Sequence, residues 1–163
     1  MNKKYKLAAV GGTFDEFHRG HRAILSKAFQ VGEKIIIGLS TDDFVRRMGK
    51  PHEVDPYESR LERLKRFLEI NNFLDRAEII PLDDPYGPTI NSGEIEVLVV
   101  SRETAPTAYK INELRRRKGL NPIDIIVVDM VLAEDEKTIS TTRIRRREID
   151  HEGRIIREVK EKS

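Results

Sequence analysis

His18 and His21 stand three residues apart in the run Gly11-Gly12-Thr13-Phe14-Asp15-Glu16-Phe17-His18-Arg19-Gly20-His21. That spacing can turn both imidazoles toward one pocket, and Gly20 removes the side chain that would block it. Gly11 and Gly12 allow a tight backbone and the close approach of a ligand. A helical pattern opens near Gly20 or His21, so free N–H groups and the helix dipole gather there as an anion site. Taken alone, such a histidine pair is incidental more often than functional. Its position in a glycine-rich turn between strand and helix raises its weight. No carboxylate or third histidine stands at a zinc-like spacing nearby, and neither a Walker A loop nor a GxGxxG fingerprint is present. Far downstream, Ser140, Thr141 and Thr142 read as a helix opening, since small hydroxyl residues cap well. With Arg145 one turn in, that segment offers a second cluster of donors; standing alone, it reads equally as a capped basic surface helix.

Both segments need elements to position them. Short apolar runs at Leu7 to Val10, Ile35 to Leu39, Ala77 to Ile80, Val97 to Val100 and Ile123 to Val128 lack strict alternation, as strands buried on both faces do. Helical spacing recurs over Arg22 to Phe29, Tyr57 to Ile70 and Tyr109 to Lys118, the last stopping at Gly119. This alternation predicts an α/β class: a single Rossmann-like domain with a mainly parallel five-stranded sheet and helices on both faces. Ligands then collect beyond the carboxyl ends of the strands, where the His18 turn must sit. Pro81 to Gly93 is dense in Pro, Gly, Asp and Asn. Composition makes it a surface loop; its length and irregularity also suit a substrate loop. One domain is expected over residues 1–163, with a motif-bearing core over 5–147 and a charged tail over 148–163 that frays from Arg154 onward.

Composition narrows the function. The chain has 163 residues, with Lys plus Arg at 30, Asp plus Glu at 28, and a net charge of +2. Near balance argues against a dedicated nucleic-acid or membrane-surface protein. The runs Arg115-Arg116-Arg117-Lys118 and Arg145-Arg146-Arg147 have Glu113, Glu148 and Asp150 close by and no interleaved aromatics, so they read as solvated helix faces. His52 and His151 are expected in solvent. Cysteine is absent, which excludes disulfides, thiolate metal sites and a cysteine nucleophile. No apolar run reaches bilayer length, and Met1-Asn2-Lys3-Lys4 leads into a strand pattern, so a cytoplasmic location is expected.

Gly12 to His21 resembles GTFDxxHxGH, the first motif of the HIGH-type nucleotidyltransferases. Ile139 to Arg145 is similar to their second motif, ISSTxxR, with Thr141 where serine is commoner. Further segments resemble phosphopantetheine adenylyltransferases, in the branch found in archaea and in the eukaryotic coenzyme A synthase. These are Ile24-Leu25 with Ala28-Phe29, Arg47 to Lys50, Asp84 to Thr89, Val99 to Thr104, and Asn112 with Arg116, Gly119 and Leu120. The resemblance implies AMP transfer from ATP to 4′-phosphopantetheine, giving dephospho-coenzyme A and pyrophosphate. It implies catalytic roles for His18, His21 and Lys50, the histidines as transition-state stabilisers. It places the nucleotide on Gly11, Gly12, Thr13, Phe14, His21, Ser140, Thr141, Thr142 and Arg145, and the acceptor on Thr13, Lys50 and Arg102. Mg2+ arrives with ATP and has no metal site of protein ligands. No nucleic acid or membrane is a partner, and a homo-oligomer stays open.

The alternative resemblance is to glycerol-3-phosphate cytidylyltransferase or an FAD-synthetase-like enzyme, which share GTFD, HxGH and ISTT. His18 leans that way, because bacterial phosphopantetheine enzymes commonly carry Thr there. Against it, Asp135-Glu136-Lys137-Thr138 precedes Ile139 where that group has RTxG. Nicotinamide-mononucleotide adenylyltransferases come third, with Arg-Phe-Gln where this chain has Thr13-Phe14-Asp15.

Overall fold

The computed structural model describes residues 4–49, 53–129 and 131–156. Five parallel strands form one sheet: β1 (Tyr5–Gly12), β2 (Gly32–Ser40), β3 (Ala77–Leu82), β4 (Val97–Ser101) and β5 (Asp124–Val128). Their order is β3-β2-β1-β4-β5. The chain leaves β1 toward one edge and returns at β4 toward the other. The strand order therefore reverses between β1 and β4, which opens a crevice at their carboxyl ends.

Alternate residues of each strand feed two cores. Val10, Ile35, Ile37, Val97 and Val99 face helices α1 (Arg19–Val31) and α3 (Tyr57–Ile70), where Leu25, Phe29, Leu64 and Leu68 are fully buried or nearly so. Ala9, Ile36 and Leu98 face α4 (Ala105–Arg117) through Ala108 and Ile111. The expected helices on both faces are present. Among the described residues, no helix is long and apolar enough to cross a membrane.

Two elements differ from the sequence reading. A short helix α2 (Asp42–Met48) precedes the Arg47 to Lys50 segment, capped by Thr41 and stopped by Gly49 in the left-handed region (φ 64°). Its seven residues are too few to show a helical period. Residues beyond Arg147 were expected to be tail, yet Ile149 is fully buried against Ala133, Ile139 and Ile144. Ile155 returns beside it in an antiparallel bridge. One apolar residue among charges carried too little pattern to reveal this small third core.

Candidate active site

The first turn is built by its own histidines. His18 caps α1: its Nδ1 accepts from the Gly20 amide at 3.0 Å. In return the His18 amide donates to His21 Nδ1 at 3.1 Å. Each ring thus spends Nδ1 as an acceptor, which puts the proton of each neutral ring on Nε2. The rings stack with centroids 3.7 Å apart. Burial, reinforced by repulsion from His151 and Arg22, pushes the His18 pKa down to about 4. His18 is therefore a neutral N–H donor at pH 7, in a helix start that already favours anions. Gly20 is required by contact: a Cβ there would lie 2.8 Å from His18 Cε1. Phe14 adopts φ 53° while buried, its ring edge-on to His21 at 5.3 Å. A bulky residue in the left-handed region is held there only by its surroundings.

Helix α5 (Thr141–Arg145) carries the second turn, with Ser140 Oγ accepting from the Arg143 amide at 3.2 Å. Thr141 Oγ1 donates to the Asp15 carbonyl at 3.0 Å, joining the two turns directly. Asp15, 2% exposed, accepts Arg145 Nε at 2.9 Å and a terminal nitrogen at 3.0 Å. Arg145 also reaches Asp55 at 3.1 Å and Glu16 at 3.3 Å. These acids raise the pKa of Arg145, Asp15 first among them, and Arg63, followed by Arg145, lowers that of Asp55. Residues 148–156 brace the seam: Arg19 N donates to the His151 carbonyl at 3.1 Å, and His151 Nε2 lies 2.8 Å from Glu16. The exposed side chain of His151 is thus engaged as well as solvated.

Asp15, Glu16 and Asp55 bring three carboxylates within 4.8 Å of one another. The Arg145 guanidinium lies among them and pairs with all three, so a cation entering the cluster would have to displace it.

A cavity of about 500 Å³ lies at the β1/β4 reversal. Gly11, Gly12, Thr13, Phe14, His18 and His21 line one side, and Ser140, Thr141 and Thr142 another. The same cavity is lined further by Leu82, Pro85, Tyr86, Pro88 and Thr89, around the 3-10 turn Gly87–Ile90, and by Thr107, Ala108 and Ile111 of α4. Of the two readings of Pro81 to Gly93, this placement favours the substrate loop.

The cytidylyltransferase-like family model matches residues 9–147. A phosphopantetheine adenylyltransferase of Methanothermobacter thermautotrophicus is 46% identical over 160 residues, 98% of this chain and 95% of its own. The chain belongs to the phosphopantetheine adenylyltransferase family. Its namesake in Pyrococcus abyssi is 42% identical over 154 residues, covering 94% of this chain and 98% of its own. A solved structure titled as a protein with unknown function from Archaeoglobus fulgidus superposes with TM-score 0.68 at 36% identity, covering 75% of this chain and 88% of that one.

Lys50 and His52 lie outside the described residues. Arg102 is exposed and sits 3.8 Å from exposed Asp129 at the rim, while its neighbours Ser101, Glu103 and Thr104 line the cavity. Arg145 faces the Asp15 cluster from behind the first turn.

Two arginines escaped the sequence reading. Arg60, fully buried, donates to the carbonyls of Thr13 (3.0 Å), Ser40 (2.7 Å) and Asp55 (2.8 Å) and to Asp42 Oδ1 (2.9 Å). It fixes the backbone of Thr13 from below. Arg115 is the exception in its basic run, whose Arg116, Arg117 and Lys118 are exposed as expected: it is 3% exposed and donates only to carbonyls, those of Thr89, Ser92 and Asn121. Arg116, matched with Asn112 in the sequence comparison, points to solvent instead. Three residues past Asn112, Arg115 shares its inward face. Asn112 itself pairs both ways with the Ile123 backbone, at 2.9 and 2.8 Å. An arginine beside three other cations carries no local sign that it is buried.

Proposed function

We propose that this chain transfers AMP from ATP to 4′-phosphopantetheine, releasing pyrophosphate and dephospho-coenzyme A, as a cytoplasmic enzyme. The observation that carries the reading is the convergence of both motif turns on one cavity, tied by the Thr141 to Asp15 bond. The names of relatives covering nearly the whole chain support the acceptor.

The reaction forms a bond from an acceptor phosphate oxygen to the α-phosphorus and breaks the bond from that phosphorus to pyrophosphate. The attacking oxygen is already ionised, so no general base is needed. Positioning and charge stabilisation supply the catalysis. His18 and His21 present fixed Nε2–H donors toward the α-phosphate, where negative charge develops. Thr13 stands beside them on a backbone held by Arg60. Gly11, Gly12 and Phe14 shape the floor, and Ser140, Thr141 and Thr142 face the outer phosphates. Arg145 reaches those phosphates only by releasing part of its acid cluster, which makes its role conditional on ATP. Lys50 is assigned to neutralise the reacting phosphates and Arg102 to meet the acceptor at the rim. Mg2+ enters bound to the ATP phosphates as part of the substrate.

The test incubates purified protein with Mg2+, either ATP or CTP, and several phosphorylated acceptors. Pyrophosphate and dephospho-coenzyme A from ATP with 4′-phosphopantetheine are expected. A cytidylylated product from CTP and glycerol 3-phosphate, with none from the first pair, would overturn the acceptor and nucleotide assignments.

A further inference from the structure

Arg115 is buried at the carboxyl end of α4. One terminal nitrogen donates to both the Thr89 carbonyl (2.7 Å) and the Ser92 carbonyl (2.6 Å), and Nε to the Asn121 carbonyl (2.8 Å). Thr89 and Ser92 belong to the loop whose Pro85, Tyr86, Pro88 and Thr89 line the cavity, as do Thr107, Ala108 and Ile111 of α4. Within the loop, Asp84 Oδ1 accepts the amides of Tyr86 (2.8 Å) and Gly87 (2.7 Å), and the Thr89 hydroxyl donates to the Tyr86 carbonyl. The loop is therefore a stiff unit, and the guanidinium ties it to α4, beside a second link from Lys118 Nζ to Asn91 Oδ1 at 2.7 Å. The negative end of the α4 dipole supports a cation at this place. A planar fork can satisfy several fixed carbonyls together, which a lysine ammonium does less well.

We infer that Arg115 is a positioning residue for the acceptor: by tying the Thr89 loop to α4 it sets the width of the groove that receives the amide arm of the acceptor, without touching the nucleotide. This rests on the proposed reaction. Its reach is selective because the motif turns have separate supports, Arg60 beneath Thr13 and Asp15 beneath Thr141.

The experiment measures steady-state constants for Arg115→Lys and Arg115→Met, with 4′-phosphopantetheine and with a truncated acceptor, 4′-phosphopantothenate, which lacks the thiol-bearing end. The acceptor KM is expected to rise about tenfold in Arg115→Met and less in Arg115→Lys, with the KM for ATP within about twofold of wild type. Preference for the full-length acceptor over the truncated one should shrink in step, an outcome that lost stability alone does not produce. Thr89→Val, which deletes the hydroxyl link inside the same loop, should move the acceptor KM in the same direction and serves if the Arg115 variants do not fold. Equal rises in both KM values, or an unchanged acceptor preference, would overturn the role of Arg115. Failure of the wild type to form dephospho-coenzyme A would instead sink the reaction itself.

Discussion

The two turns that face each other across the cavity are supported in opposite ways. The first grows out of the main core: Val10 leads into it, Phe14 is buried within it, and Leu25 anchors the helix that His18 begins. The second rests on a separate cluster of four buried residues, Ala133, Ile139, Ile144 and Ile149. The seam between them is polar, made of Arg145 with Asp15 and Asp55, Thr141 with the Asp15 carbonyl, and the His151 carbonyl with Arg19. Apolar burial and the Arg60 bond to Thr13 hold the first turn from its own side of the seam. The second turn is tied to the first through charged contacts, for which a triphosphate would compete under the proposed reaction. This contrast predicts that damage to the first turn strikes the chemical step, whereas damage to the second strikes ATP binding.

The largest effect is expected from His21→Ala, which removes a donor from the first turn. Its kcat should fall about a hundredfold, as loss of one stabilising donor does elsewhere, with KM for ATP little changed and circular dichroism preserved. A fall in affinity without a fall in kcat would erase the contrast. Acid titration should separate the turns next. The folded pKa of His18 is about 4, below its ordinary 6.5. The unfolded chain therefore binds more protons between those values, and stability rises with pH across them. This contribution is complete above pH 6.5, is lost toward pH 4, and amounts to about 3 kcal/mol. Asp55 titrates below the usual carboxylate value because of Arg63 and Arg145, so the seam weakens only in stronger acid. Urea unfolding midpoints at several pH values, repeated with His18→Asn to keep the cap, would show whether the first loss belongs to His18.

A smaller effect is expected from Asp15→Asn, which leaves Arg145 with its outer partners alone. A loss of about 2 kcal/mol should accompany a raised KM for ATP, read by thermal melting and steady-state kinetics. Should the melting point drop with ATP affinity intact, the seam would be structural only. Smallest is Gly153→Ala. Gly153 has φ 82°, and a Cβ there would lie 2.6 Å from Ile139 Cδ1. About 1–2 kcal/mol of strain is expected, confined to the second turn, with faster hydrogen exchange over 131–156 and none over α1.

The sequence announced residues better than it announced their supports. Strands were legible because a doubly buried strand is an unbroken apolar run, and Ile35 to Leu39 or Val97 to Val100 can be read in place. The histidine pair and Ser140 to Thr142 were legible because their spacing is local. Arg60 and Arg115 were not, because their partners are carbonyls 20 to 47 residues away at Ser40, Thr89 and Thr13. A carbonyl acceptor leaves no trace in residue type, so Arg60 drew no notice and Arg115 read as part of a solvated face. Ile149 was missed for a related reason: its neighbours are assembled by folding and are distant or polar in the chain.

One ring of the first turn performs two jobs at once. The same His18 imidazole that starts α1 through Nδ1 also lines the cavity. Those duties are genetically separable, since threonine or asparagine can open a helix without presenting an aromatic N–H. Under the proposed role of His18, an allele of that kind is expected to fold well and turn over slowly, which would suit trapping both substrates together.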